Sequence, residues 1–252
     1  MTDGPGPPAG SEPRRYFFVH VQKTAGTSLA IRLTHQFAEQ EIYPDPSDGD
    51  QLTVMPQLDM GVLQARWAAR HDQIRLVTGH FPLATTELLG GGFTTFTVVR
   101  EPVERTLSYL RHYRKMTPEA RDWPLEQVYE DPLRYEGLIH DHMCKVFGLG
   151  PDQLADGIMA RVDHTPELLE RAEAGLASVD VVGLQEDFDA FVGQLETQFG
   201  WDLGEPMVAN DTPHVEVDPA FRERIAADNA LDVELYRYAR ALVAERASVS
   251  GR

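Results

Sequence analysis

Tyr16-Phe17-Phe18-Val19-His20-Val21-Gln22-Lys23-Thr24-Ala25-Gly26-Thr27-Ser28-Leu29 reads as an apolar strand that runs straight into a short loop. The loop carries one lysine, one glycine and three hydroxyls, and a helix is expected to open on Thr27 or Ser28. That layout aims backbone N–H groups, a helix dipole, a cation and hydroxyl donors at one point, which is how a fold binds an anion without a metal. Lysine is scarce elsewhere: Lys23, Lys115 and Lys145 are the only three, against 20 arginines. A glycine turn with a Ser/Thr helix cap would use the same residue types, so the loop alone leaves both readings open.

The chain around this loop is 252 residues long, 42% hydrophobic and 25% charged, the composition of a globular protein with a substantial core. Its formal charge of −17 argues against general binding to nucleic acid or to anionic membranes. An anionic ligand would have to be held by a local basic site against the global field. The single cysteine, Cys144, excludes an intramolecular disulfide framework and fits a reducing, cytoplasmic setting. No apolar run of about eighteen residues suggests a membrane-spanning helix. Residues 1–13 are rich in Gly and Pro and read as a disordered tail, leaving 14–247 as a single domain.

Strands are expected at 16–21, 74–78, 93–99 and 179–184, with helices at 27–39, near 57–70, from Pro102 to about Lys115, and over 165–177, 186–199 and 219–246, the last in two segments. Residues 43–56 and 201–217 read as loops, and 118–148 as irregular to helical. Leu29, Ile31, Leu33 and Phe37 supply apolar positions in the first helix. Pro102 suits the first position of its helix, where its fixed φ and missing donor do no harm. Strands separated by helices imply an α/β fold: a three-layer, P-loop-like arrangement with a central parallel sheet flanked by helices. Ligands in such sheets bind beyond the carboxyl ends of the strands, so the segments after the first three strands should hold the chemistry.

After the strand at 93–99 comes Arg100-Glu101-Pro102-Val103-Glu104-Arg105-Thr106-Leu107-Ser108-Tyr109. A guanidinium at a strand end, beside a helix N-terminus, makes a bidentate phosphate clamp, and Ser108 two turns on can add a hydroxyl. The competing readings are an Arg100–Glu104 salt bridge and a plain surface serine. After the strand at 74–78 comes Thr78-Gly79-His80-Phe81-Pro82, which sets His80 on the same rim. Its ordinary pKa near neutrality suits it to take a proton from an attacking hydroxyl, while a structural strand-end histidine is the alternative.

Strand–QKTAGTS–helix followed by strand–REPVERTLSY–helix resembles the paired cofactor motifs of sulfotransferases that use 3′-phosphoadenosine-5′-phosphosulfate (PAPS), in particular the carbohydrate branch with the heparan sulfate 2-O- and 6-O-sulfotransferases. The resemblance extends more weakly to Val181–Glu186 and Asn229–Tyr236. It implies that Lys23, Thr24, Ala25, Gly26, Thr27 and Ser28 grip the 5′-phosphosulfate, that Arg100 and Ser108 bind the 3′-phosphate, and that His80 is the catalytic base with Lys23 stabilising the leaving group. PAPS would be the sulfuryl donor, with no metal, and the partner a small-molecule or carbohydrate hydroxyl acceptor. Two rivals compete with it. One is a nucleotide kinase, for which the full Gly-rich loop and a Walker-B acid are missing. The other is a non-catalytic anion- or glycan-binding module using Trp67, Trp123 and Trp201, which are scattered.

Among the other histidines, His20 reads as a core or rim residue. His140, His142 and Cys144 are rejected as a metal set, because an i, i+2 pair on a helix points apart. His214 falls in a loop expected to close over the nucleotide.

Overall fold

The computed structural model describes residues 14–48, 55–205 and 217–250. The expected tail at 1–13 and His214 lie outside these residues.

Five strands form one sheet: β1 (Arg15–Val19), β2 (Ile42–Tyr43), β3 (Leu76–Val77), β4 (Phe93–Val99) and β5 (Val181–Leu184). Their order is β2-β3-β1-β4-β5, and every pairing is parallel. β1 is central, with Phe17 opposite Val77 on one side and Thr95 on the other. The helices are α1 (Gly26–Leu33), α2 (Met60–Arg70), α3 (Thr85–Leu88), α4 (Pro102–Met116), α5 (Leu125–Tyr129) and α6 (Pro132–Arg134). They continue with α7 (His142–Gly148), α8 (Pro166–Ser178), α9 (Phe188–Phe199), α10 (Pro219–Asp228) and α11 (Ala230–Ser250).

Alternation along β1 builds the three layers. Successive side chains of a strand point to opposite faces. Phe17 and Val19 enter a cluster with Leu63 of α2, Val146 of α7, Leu168 and Leu176 of α8 and Leu235 of α11. Tyr16 and Phe18 enter the opposite cluster with Leu29 and Leu33 of α1 and Val192 and Leu195 of α9. Each fully buried phenylalanine contributes roughly 1.5–3 kcal/mol. A third cluster, with Leu107, Tyr129, Ile139 and Ile225, joins α4, α5 and α10.

Two expectations are corrected. β2 forms at the edge of a stretch read as loop, because Ile42 and Tyr43 pair with Leu76 and Val77. The first helix stops at Leu33, not 39: the amides of Thr34, His35 and Gln36 turn back to carbonyls three residues earlier, and the Thr34 hydroxyl donates to Ile31 at 2.6 Å. Ile31 is accordingly 45% exposed, while Leu29, Leu33 and Phe37 are buried. The tryptophans serve packing. Trp201 sits edge-on to Tyr16, Phe37 and Phe96, Trp67 packs on Phe93, and Trp123 on the third cluster.

The chain leaves β1 toward β2 and β3 on one side, then crosses to β4 on the other. Such a reversal opens a crevice beyond the carboxyl ends of the diverging strands, here β1 and β4. The loops following these two strands are Gln22–Ser28 and Arg100–Glu101.

Candidate functional site

The loop after β1 has an unusual backbone. Among the described residues, three non-glycine positions have positive φ, and two of them are Lys23 (69°) and Ala25 (71°). Left-handed conformation costs a residue with a Cβ, and alternating it with right-handed residues turns successive N–H groups toward one concavity. Ala25 caps α1 without a side-chain hydrogen bond, so no side chain of its own occupies the helix's first amides. Gly26 is dictated by space: a Cβ there would stand 1.9 Å from Nε2 of His20.

The hydroxyls divide. Thr24 is buried and its hydroxyl donates to the Val21 carbonyl at 2.9 Å, which braces the loop. Thr27 is exposed and Ser28 half-buried. Lys23 is half-buried, and its ammonium pKa is lowered by burial first and then by the cations Arg100 and Lys115. A lysine whose charged neighbours are cations sits in a field that an anion would relieve.

Arg100 emerges from β4 into the same place. Its Nη1 donates to the Lys23 carbonyl at 3.2 Å, and its buried Nε has no partner among the described residues. The competing Arg100–Glu104 pair is present but loose, at 3.9 Å to Oε2, while Oε1 of the same carboxylate is held by Arg222 at 2.6 Å. α4 starts where expected, with the Glu101 carboxylate accepting from the Glu104 amide at 2.7 Å and Pro102 in the first turn. Ser108 is half-buried on this helix. A pocket opens beside Arg100, walled by Glu104, Gln185, Glu186, Tyr236 and Arg240, with the Tyr236 hydroxyl donating to Glu186. The late strand and closing helix therefore meet the Arg100 segment.

His80 stands at the same rim. Its Nδ1 lies 2.9 Å from the His20 carbonyl, and since a carbonyl only accepts, Nδ1 carries the proton and Nε2 keeps its lone pair. Burial first, with the Lys23 charge adding to it, pushes its pKa down from 6.5 to about 4, so the imidazole is neutral at pH 7. His20 is more than a rim residue. Its Nδ1 donates to Thr78 at 3.1 Å, its ring lies 4.0 Å from that of His80 and stacks on Phe18, and its Nε2 fills the space over Gly26. Sequence reasoning misses this link, although His20 is only three residues before Lys23.

Deeper in, Arg105 is fully buried and donates to the carbonyls of Leu138 and Ile139 at 3.1–3.2 Å. Lys145, also buried, donates to the carbonyls of Glu136 and Gly137. Asp232 accepts from the amides of Met143 and Cys144, and Asn229 from Asp141. These groups anchor the segment between α6 and α7. His140 and His142 do not share the helix expected for them: His140 ends a π-turn over Tyr135–Ile139, whereas His142 begins α7 and is fully buried.

Fold and rim together define an α/β protein with a parallel sheet and a cation-bearing loop at the switch point. No family model matches the chain. Galactosylceramide sulfotransferase of Mus musculus is 28% identical over 181 residues, covering 66% of this chain. The chain spans about two fifths (41%) of that relative's length. The crystal structure of a sulfotransferase from Alicyclobacillus acidocaldarius shares the fold, with a TM-score of 0.50 at 17% identity over 88% of this chain and 94% of that one. The first likeness is one of sequence to a sulfotransferase, and the second is one of fold. No helix among the described residues is long and apolar enough to cross a membrane.

Proposed function

We propose that this chain is a PAPS-dependent sulfotransferase of the carbohydrate-acting kind, transferring a sulfuryl group to a hydroxyl of a small-molecule or carbohydrate acceptor. The observation that carries the reading is the junction of Arg100 with the Lys23 loop, two phosphate-binding elements from strands β1 and β4 meeting at one rim. A nucleotide phosphorylated at both its 3′ and 5′ ends asks for two such elements side by side. The residues fit it: the α1 amides lack a side-chain cap, Lys23 faces cations, and Arg100 Nε lacks a partner among the described residues.

PAPS supplies the sulfuryl group. In this reading Lys23 and the amides of Gly26 to Ser28 hold the 5′ end and offset charge that builds on the leaving phosphate, a contribution made by preorganised donors in a partly dry site. Thr27 and Ser28 add hydroxyls. Thr24 shapes the loop with its bond to Val21. Arg100 and Ser108 hold the 3′-phosphate. His80 takes the acceptor's proton on Nε2, its other nitrogen being fixed by the His20 carbonyl.

On the acceptor, the net charge of −17 disfavours an anionic polymer, and the mouse relative is named for galactosylceramide, a sugar on a lipid. Both favour a neutral glycolipid, glycoside or related metabolite. Incubation with ³⁵S-labelled PAPS and a panel of neutral glycolipids and glycosides tests the proposal. Label transferred to any hydroxyl acceptor supports it, and release of no label to any of them counts against it.

A further inference from the structure

The segment anchored by Arg105 and Lys145 gathers side chains that sulfuryl transfer does not use. Glu136 and His140, at the two ends of the π-turn, meet His164, which leads into α8 from 24 positions further along the sequence. One ligand atom from each of the three lies within 4.8 Å of the others. The His140 and His164 rings are stacked at 3.6 Å. Nδ1 of His140 and Nε2 of His164 are both buried and, among the described residues, lack any hydrogen-bond partner.

Asp141 stands behind the pair. Its Oδ2 accepts from Nδ1 of His164 at 3.2 Å and lies 3.6 Å from Nε2 of His140. Its Oδ1 accepts from the Asp232 amide, which fixes the carboxylate. A carboxylate that engages one imidazole nitrogen and leaves the other bare is the usual backing of a metal-bound histidine. Asp141 is also the third non-glycine residue with positive φ (41°), strain that the surrounding bonds maintain.

We propose that Glu136, His140 and His164 form a binding site for one divalent transition-metal ion, Zn²⁺ foremost, with Asp141 orienting the imidazoles. Two imidazoles and a carboxylate suit zinc and leave a fourth position for water. Tetrahedral ligands on zinc stand ~3.4 Å apart, so a small rotation of these half-buried side chains closes the cluster. The ion would cross-link the π-turn to the approach to α8, a tie between two segments that the described hydrogen bonds join through Asp141. The fold thus supplies His140 with a different partner from the one its sequence neighbourhood offers: His164 across the turn, not His142 two positions on.

The test uses untagged full-length protein freed of metal with a chelator and titrated with Zn²⁺ alone, with Co²⁺ as a spectroscopic probe. One equivalent of Zn²⁺ per chain should bind and raise the melting temperature, and Co²⁺ should give visible absorption of tetrahedral intensity. His164→Ala should weaken Zn²⁺ binding by about 100-fold or more, at least the loss seen when a group merely backing a ligand is removed. Glu136→Gln, nearly isosteric, should do likewise with an unchanged far-ultraviolet spectrum. Absence of stoichiometric binding in the wild type, or binding equally tight in both variants, overturns the site. Neither outcome depends on whether the protein transfers sulfate.

Discussion

The Arg100 guanidinium donates to the carbonyl of Lys23 at 3.2 Å, joining two segments 77 residues apart in sequence. The bond matters because it sets two cations at one rim: the charges acting on Lys23 are those of Arg100 and Lys115, and Glu104 meets Arg100 only at 3.9 Å while its other oxygen is held by Arg222 at 2.6 Å. Cations collected against their mutual repulsion are what an anionic ligand stabilises.

Arg100→Ala should weaken adenosine 3′,5′-bisphosphate about 10- to 100-fold, the worth of a hydrogen-bonded charge pair of roughly 1.5–3 kcal/mol. AMP, which lacks the 3′-phosphate, should lose much less. Calorimetric titration of both ligands checks this, and an equal loss for the two would move Arg100 to the 5′ end.

Lys23→Ala should lower turnover by roughly 10²- to 10³-fold, as removal of a preorganised charge at a leaving group does. Far-ultraviolet circular dichroism should be unchanged, because the Lys23 contact to Arg100 is made by its backbone carbonyl. Near-normal turnover would remove Lys23 from the chemistry.

His80→Asn keeps a donor toward the His20 carbonyl and removes the base, so turnover should fall roughly 10²- to 10⁴-fold with nucleotide affinity retained. The wild-type pH profile carries a second signature. With the pKa lowered to about 4, kcat/KM should hold flat through pH 6.5 and fall only toward about 4. The unfolded chain takes up this proton first, so His80 also erodes folding stability as pH drops through that window, and His80→Asn should flatten that decline. An acid limb centred at 6.5 would place the base elsewhere.

Gly26→Ala forces a Cβ to within 1.9 Å of the His20 ring and should weaken adenosine 3′,5′-bisphosphate at least about tenfold, since the ring or the loop must move. The double variant His20→Ala/Gly26→Ala should recover part of that loss, which a double-mutant cycle measures. Strictly additive losses would mean that the two residues act apart.

Much of this site is legible in the amino-acid sequence. β1 and β4 and their polar loops announce themselves because a buried parallel strand is rich in apolar and β-branched residues, as Phe93–Val99 is with its Phe, Val and Thr, and a phosphate loop cannot be. Pro102 marks its helix start for a reason of backbone chemistry alone. β2 is illegible, since two residues, Ile42 and Tyr43, carry no period to read. The Glu136–His140–His164 cluster is equally hidden: His164 reaches it only because α7 and α8 pack together, and no local pattern encodes that distance. Nothing in the sequence around Arg105 marks it as buried, because its burial depends on carbonyls more than thirty residues away.

Whether the rim binds a nucleotide by both its 3′ and 5′ phosphoryl groups is tested most directly by calorimetric titration of the wild-type protein with adenosine 3′,5′-bisphosphate against ATP. The paired cations at Lys23 and Arg100 predict one saturable site for the bisphosphate and binding of ATP at least about tenfold weaker, a difference of ~1.4 kcal/mol or more. ATP binding as tightly as the bisphosphate, or no binding of the bisphosphate at all, would contradict the two-phosphate site.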